Sequence, residues 1–149
     1  MSATAIYRSV FEEIQDEHQH LQELFARIRA EFAAAVAGSP NDLNGLFAHL
    51  VEVLDEHFHH EEEGGYFNEI VINLPRLADT IDRLKRQHGV LLDTANVMRL
   101  RLLRPEDSVV SLRAMQVEFD AFLQQCKDHE TREDELVQEA YWQDIGALD

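Results

Sequence analysis

Leu54-Asp55-Glu56-His57-Phe58-His59-His60-Glu61-Glu62-Glu63 reads as part of a helix with two polar groups on its inner face. His57 and Glu61 are four residues apart, a spacing that stacks side chains about one turn apart on an α-helix. Going back by threes and fours, Leu46, Leu50, Val53 and Leu54 share their stripe. The stripe turns His57 and Glu61 inward, where a polar group needs a partner. An imidazole nitrogen and a carboxylate pointing the same way can hold one cation, or two adjacent ones. His59, His60, Glu62 and Glu63 fall at the edges or toward water.

The spacing recurs at His129-Glu130-Thr131-Arg132-Glu133. Its stripe is Met115, Phe119, Phe122 and Cys126 before it, with Leu136 and Val137 after it. Two further histidines lie on apolar stripes of their own. His18 sits among Phe11, Ile14, Leu21, Phe25 and Ile28, and His88 among Leu77, Ile81, Leu84, Leu91, Ala95 and Met98. His18 to His57 spans 39 positions and His88 to His129 spans 41. A helix with one His, followed by a helix with His-x-x-x-Glu, therefore occurs twice.

Turn signals divide the chain into four long helices. The first runs from about Thr4 to Ala37 and breaks at Gly38-Ser39-Pro40-Asn41. The second begins near Asn41 or Asp42, both good N-caps, and continues through His57, its last turns weakened by Gly64-Gly65. The third starts at Asn73-Leu74-Pro75 and runs to about Leu103. After Arg104-Pro105-Glu106-Asp107 the fourth starts at an N-capping Ser108 and ends near Ala140. The tail Tyr141–Leu148 is expected to pack across the bundle end. Helices of about 25–34 residues joined by short turns give an all-α, up-down-up-down four-helix bundle, roughly 40–50 Å long. The reading is a single domain over residues 1–149, with its core at about 4–140. Antiparallel packing brings His18, His57, His88 and His129 to one level in the bundle interior.

Composition narrows the function. The chain has 149 residues, enough for one domain with a real core. Its 13 Lys and Arg against 29 Asp and Glu leave a net charge of −16. That charge repels nucleic acid and anionic membranes, which are excluded as main partners. The single Cys126 makes no internal disulfide. No apolar run approaches a membrane span and Met1-Ser2-Ala3-Thr4-Ala5 starts no signal peptide, so a cytoplasmic location is expected.

Four imidazoles and two carboxylates exceed the four ligands of a structural zinc. They suit two five- or six-coordinate metals: His18 and His57 on one, His88 and His129 on the other, with Glu61 and Glu133 bridging. Imidazole with carboxylate suits iron, with zinc or manganese as substitutes. Coordination positions left open on iron invite dioxygen, peroxide or nitric oxide.

These residues carry a resemblance. Glu17-His18-x-x-Leu21, His57-Phe58-x-x-Glu61-Glu62, His88-x-x-Leu91 and His129-x-x-x-Glu133 make the chain resemble the hemerythrin-like (HHE cation-binding) domains over nearly its whole length. The resemblance implies a four-helix bundle with a non-haem centre of two iron ions, Fe2+/Fe3+, oxo- or hydroxo-bridged. It also implies oxygen binding, oxygen or iron sensing, iron storage, nitric oxide handling or peroxide chemistry. Oxygen-carrying members have a fifth histidine where this chain has Leu84, which weighs against simple oxygen carriage. They also use an aspartate at the position of Asp134, whereas Glu133 copies the spacing of His57 to Glu61 and is preferred here. His60, Glu62, Tyr66 and Asp134 are candidates to fill the vacated position. The ferritin-like alternative uses Glu-x-x-His on two helices, a spacing met at Glu17/His20 and Glu56/His59 but not on the third and fourth helices. It fails at Lys85 and Cys126, which stand three residues before His88 and His129.

Four classes remain open, the plainest being a helical bundle whose polar interior is purely structural. Of the other three, one is a protein that binds dioxygen or a related ligand for sensing, storage or detoxification. Another is a diiron peroxidase or nitric oxide-reducing enzyme. The third is an iron-responsive binding module with a protein partner or a homo-oligomeric state. His20 and His59 read as solvated, His49 as an ordinary polar position, Cys126 as a small core residue, and Phe11, Phe25, Phe32, Phe47, Phe58, Phe119 and Phe122 as core, some of which walls the centre.

Overall fold

The computed structural model describes residues 3–64, 66–104 and 108–148, with the backbone alone at 3–11, 64, 66 and 141–148. Phe11 as a core residue and Tyr66 as a ligand candidate fall outside the described side chains, as does the packing of residues 141–148. Five α-helices follow in order: α1 Ala3–Val36, α2 Leu43–His59, α3 Tyr66–Asn73, α4 Ala78–Leu102 and α5 Val109–Leu148. A π-helical turn, His60–Gly64, extends α2, and a 3-10 turn, Pro75–Leu77, leads into α4. The long helices make a four-helix bundle in which α1 packs on α2 and α5, and α4 packs on α2 and α5.

Local chemistry explains the ends. After α1, Gly38 takes the left-handed conformation at φ 74°, the usual glycine stop. The Ser39 N–H reaches back to Ala34 O at 2.8 Å, and Pro40 cannot continue the helix. Ahead of α2, the Asn41 carboxamide oxygen accepts the Leu43 N–H at 3.2 Å. Ahead of α5, the Ser108 hydroxyl accepts the Ser111 N–H at 3.2 Å, the capping bond expected of it.

Two segments differ from the sequence expectation. Rather than fading over weak turns, the second helix passes into the π turn and then a separate short helix, α3. Low helix propensity at Gly64 lets the ladder widen there. The last helix runs on to Leu148 instead of ending near Ala140.

Buried apolar residues fall into two regions. The larger holds Phe25, Ile28, Phe32, Phe47, Leu50, Met98, Phe119 and Phe122, toward the α1–α2 and α4–α5 turns. The smaller holds Ile14, Phe67, Ile70, Ile81, Leu84, Leu136 and Val137. Along each long helix a buried polar residue separates them: His18 between Ile14 and Leu21, His88 between Leu84 and Leu91, His129 and Glu133 between Cys126 and Leu136. Cys126 itself is buried, as read from the sequence.

Candidate metal centre

The layer between the two apolar regions consists of His18, His57, Glu61, His88, His129 and Glu133. All six are buried: His18 and His57 are 6% exposed, Glu61, His88 and His129 2%, and Glu133 0%. Helical spacing positions two pairs. His57 Nε2 lies 2.6 Å from Glu61 Oε1, and His129 Nε2 contacts Glu133 Oε1 in the same way one turn on. Glu133 also faces His88 Nε2 at 3.3 Å and His18 Nε2 at 3.7 Å. One carboxylate is thus shared by three helices.

The donor atoms form two overlapping groups. His18, His57, Glu61 and Glu133 bring one donor each within 4.8 Å of one another, and so do His88, His129 and Glu133. Glu133 is common to both, and Glu61 Oε1 stands 3.9 Å from His88 Nε2. The arrangement fits a cation in a specific way. His18 Nε2 is buried and has no hydrogen-bond partner among the described residues. A buried polar nitrogen aimed at carboxylates without a bond is unfavourable unless something else occupies the space between them.

Electrostatics point the same way. Burial opposes a charge on His57, yet Glu17 and Glu61 outweigh it and push its pKa up to about 10. His18 is likewise opposed by burial but raised to about 10 by Asp134 and Glu133. Glu61 is driven well above the carboxylate range by burial and by Glu133 beside it. Glu133, although buried, is held well below that range by Glu61 and the histidines. A cation between these groups would compete with protons for the same donor atoms.

Aromatic rings wall the layer. Phe58 stacks on His88 with centroids 4.1 Å apart and an interplanar angle of 9°. Phe67 stacks on the same ring at 5.8 Å and 11°. Phe67 was missed by the sequence reading because α3 was missed. Its signal, an aromatic residue six positions after Glu61, gains meaning only once α3 is in place and Phe67 stacks on His88.

The proposed extra groups stand outside the layer. Glu62 Oε2 lies 3.2 Å from the outer nitrogen of His88, and Asp134 Oδ1 3.6 Å from that of His18. His60 is exposed and bonds Glu17 Oε1 at 2.8 Å, while Glu17 Oε2 accepts from His57 Nδ1 at 2.7 Å. Glu17 and Gln87, the partner of His129 Nδ1 at 2.8 Å, received no structural role from sequence. Each lies one position off its apolar stripe, and its contact is on a different helix. His20, His49 and His59 are exposed, as expected. Among the described residues no helix is long and apolar enough to cross a membrane.

Comparison with curated proteins and with solved structures gives no match. Comparison with protein families matches residues 9–141 to the Hemerythrin HHE cation binding domain. That match takes in every residue of the buried layer and nearly all of the chain, which therefore belongs to the hemerythrin HHE family and shares its cation-binding fold.

Proposed function

We propose that the buried layer holds two metal ions, with iron the expected metal, and that the centre binds or reacts with dioxygen or a related small ligand, peroxide or nitric oxide. In this reading His18 and His57 hold one ion and His88 and His129 the other, with Glu61 and Glu133 between them. The observation that carries it is the donor set itself: six buried polar residues in two groups that share Glu133, with His18 Nε2 unbonded. When bound, a pair of iron ions supplies redox-active, open coordination positions for such ligands. The protein's own residues do the rest. The carboxylates offset the cationic charge, and Glu133 ties three helices to the centre. Phe58 and Phe67 exclude water on the His88 side, which strengthens every electrostatic contact inside.

A second reading, a diiron peroxidase or nitric oxide-reducing enzyme, is favoured by Leu84. This apolar, buried residue stands on α4 one turn before His88, and the His88 group has only three members against four in the other. Fewer protein donors leave more room for reaction on that side. Ferrous loading of the metal-free protein under nitrogen, followed by oxygen and then degassing, separates the two. A visible band that appears and then disappears on degassing supports ligand binding. A band that persists, with turnover of peroxide or nitric oxide abolished by His57→Ala, supports the enzyme. Absence of any band contradicts both.

A further inference from the structure

Each inward histidine turns its second ring nitrogen to an acceptor carried by a neighbouring helix. Glu17 of α1 takes His57 of α2 at 2.7 Å. Glu62, in the π turn after α2, takes His88 of α4 at 3.2 Å. Gln87 of α4 takes His129 of α5 at 2.8 Å. Asp134 of α5 faces His18 of α1 at 3.6 Å. Every acceptor is the sequence neighbour of an inward group: Glu17 of His18, Glu62 of Glu61, Gln87 of His88, Asp134 of Glu133. The four contacts run around the bundle from helix to helix, three of them hydrogen bonds and the fourth, Asp134 with His18, a longer approach.

The four contacts are not uniform. Under the internal repeat Glu17 and Gln87 are counterparts, each directly before the lone histidine of its helix. One is a carboxylate and the other a neutral amide, and Gln87 is the only uncharged acceptor of the four. A carboxylate that accepts the Nδ1–H makes the opposite nitrogen a stronger donor, whereas an amide chiefly orients the ring. The His129 side also borders a surface cavity. This cavity, of about 230 Å³, is lined by Gln87, Val90, Leu91, Gln125, Asp128, His129 and Arg132.

We propose that Gln87 is a positioning residue that makes the two metal positions unequal. The His18–His57 position fills first and holds its ion more tightly, and the His88–His129 position fills second and exchanges it more readily. The inference rests on the two-metal reading above. A carboxylate in place of Gln87 would make this acceptor match Glu17 and strengthen the second position alone.

Calorimetric titration of metal-free protein with Co2+ tests this. Wild type is expected to take two ions in two resolved steps. Gln87→Glu is expected to tighten only the second step, by about 10-fold, the lower end of what outer partners contribute. A gain of affinity cannot arise from structural damage. In the cobalt-loaded protein the shifted ring N–H resonance of His129 should move in Gln87→Glu while that of His18 stays. Glu17→Gln is expected to weaken the first step by about 10-fold or more. Two equal steps in wild type, an unchanged second step in Gln87→Glu, or an unchanged first step in Glu17→Gln overturns the inference and leaves the two-metal reading intact. Uptake of one ion or none overturns the two-metal reading and the inference with it.

Discussion

The aromatic region above the buried layer and the layer itself stand on the same four helices but are built by opposite rules. Above, Phe32, Phe47 and Phe119 meet with ring centroids 5.4–5.8 Å apart, every contact is apolar, and burial alone stabilises the packing. In the layer, six polar side chains give up hydration and hold one another through protons and partial bonds, which is a poor source of stability without a cation. The difference teaches a division of labour. The aromatic region folds the bundle, and the layer draws on that stability to keep a charged site dry.

The comparison can be broken most directly at Glu133. Because it faces three histidines, Glu133→Gln should remove metal uptake at both positions. The loss of affinity should exceed the roughly 10–100-fold expected for an outer partner, as read by metal analysis after gel filtration. Helix content by circular dichroism should be retained. If one ion still binds at wild-type affinity, Glu133 is not shared. The opposite variant, Phe119→Ala, should destabilise the fold by about 3–5 kcal/mol in denaturant unfolding, the range for a fully buried Phe. Any protein that remains folded should still take up metal. Loss of uptake from folded Phe119→Ala protein would show that the two regions are not separable.

A pH series sharpens the same contrast. In the metal-free fold His18 and His57 titrate near 10, against an ordinary 6.5. Their contribution to stability is therefore fully present below about pH 6.5 and lost as pH rises toward 10. The raised Glu61 acts in the same direction. Glu133 and Glu17, both lowered, act in the other, with a contribution present above the ordinary 4.5 and lost in acid. The Tm of metal-free protein should fall from pH 6.5 to 10, and metal should flatten the slope because the coordinating nitrogens then carry no proton. An equal slope with and without metal would count against cation binding in the layer. The smallest effect lies far from both regions: Ser108→Ala should cost about 1 kcal/mol at the start of α5 and leave metal uptake unchanged.

The aromatic region and the layer were legible in sequence for one shared reason. Stripes at three and four residues report which face of a long helix is buried, and Leu50, Phe119, His57 and His129 all sit on such stripes. The repeat then supplied the level at which the histidines meet. What escaped was everything off the stripe. Glu17 and Gln87 look like solvated residues until the neighbouring helix is in place, since their partners are 40 and 42 positions away. Gly64 signals weak helix propensity, but no apolar stripe records that the helix passes into a π turn there. With that turn unseen, α3 and Phe67 were unseen too, although Phe67 is fully buried against His88.

The most direct measurement is a crystal structure of iron-loaded protein with anomalous data at the iron edge. The account predicts two peaks in the buried layer, one beside His18 and His57 and one beside His88 and His129, with Glu133 in contact with both. A single peak, or iron only at the surface group of Glu13, Glu17 and His60, would contradict it.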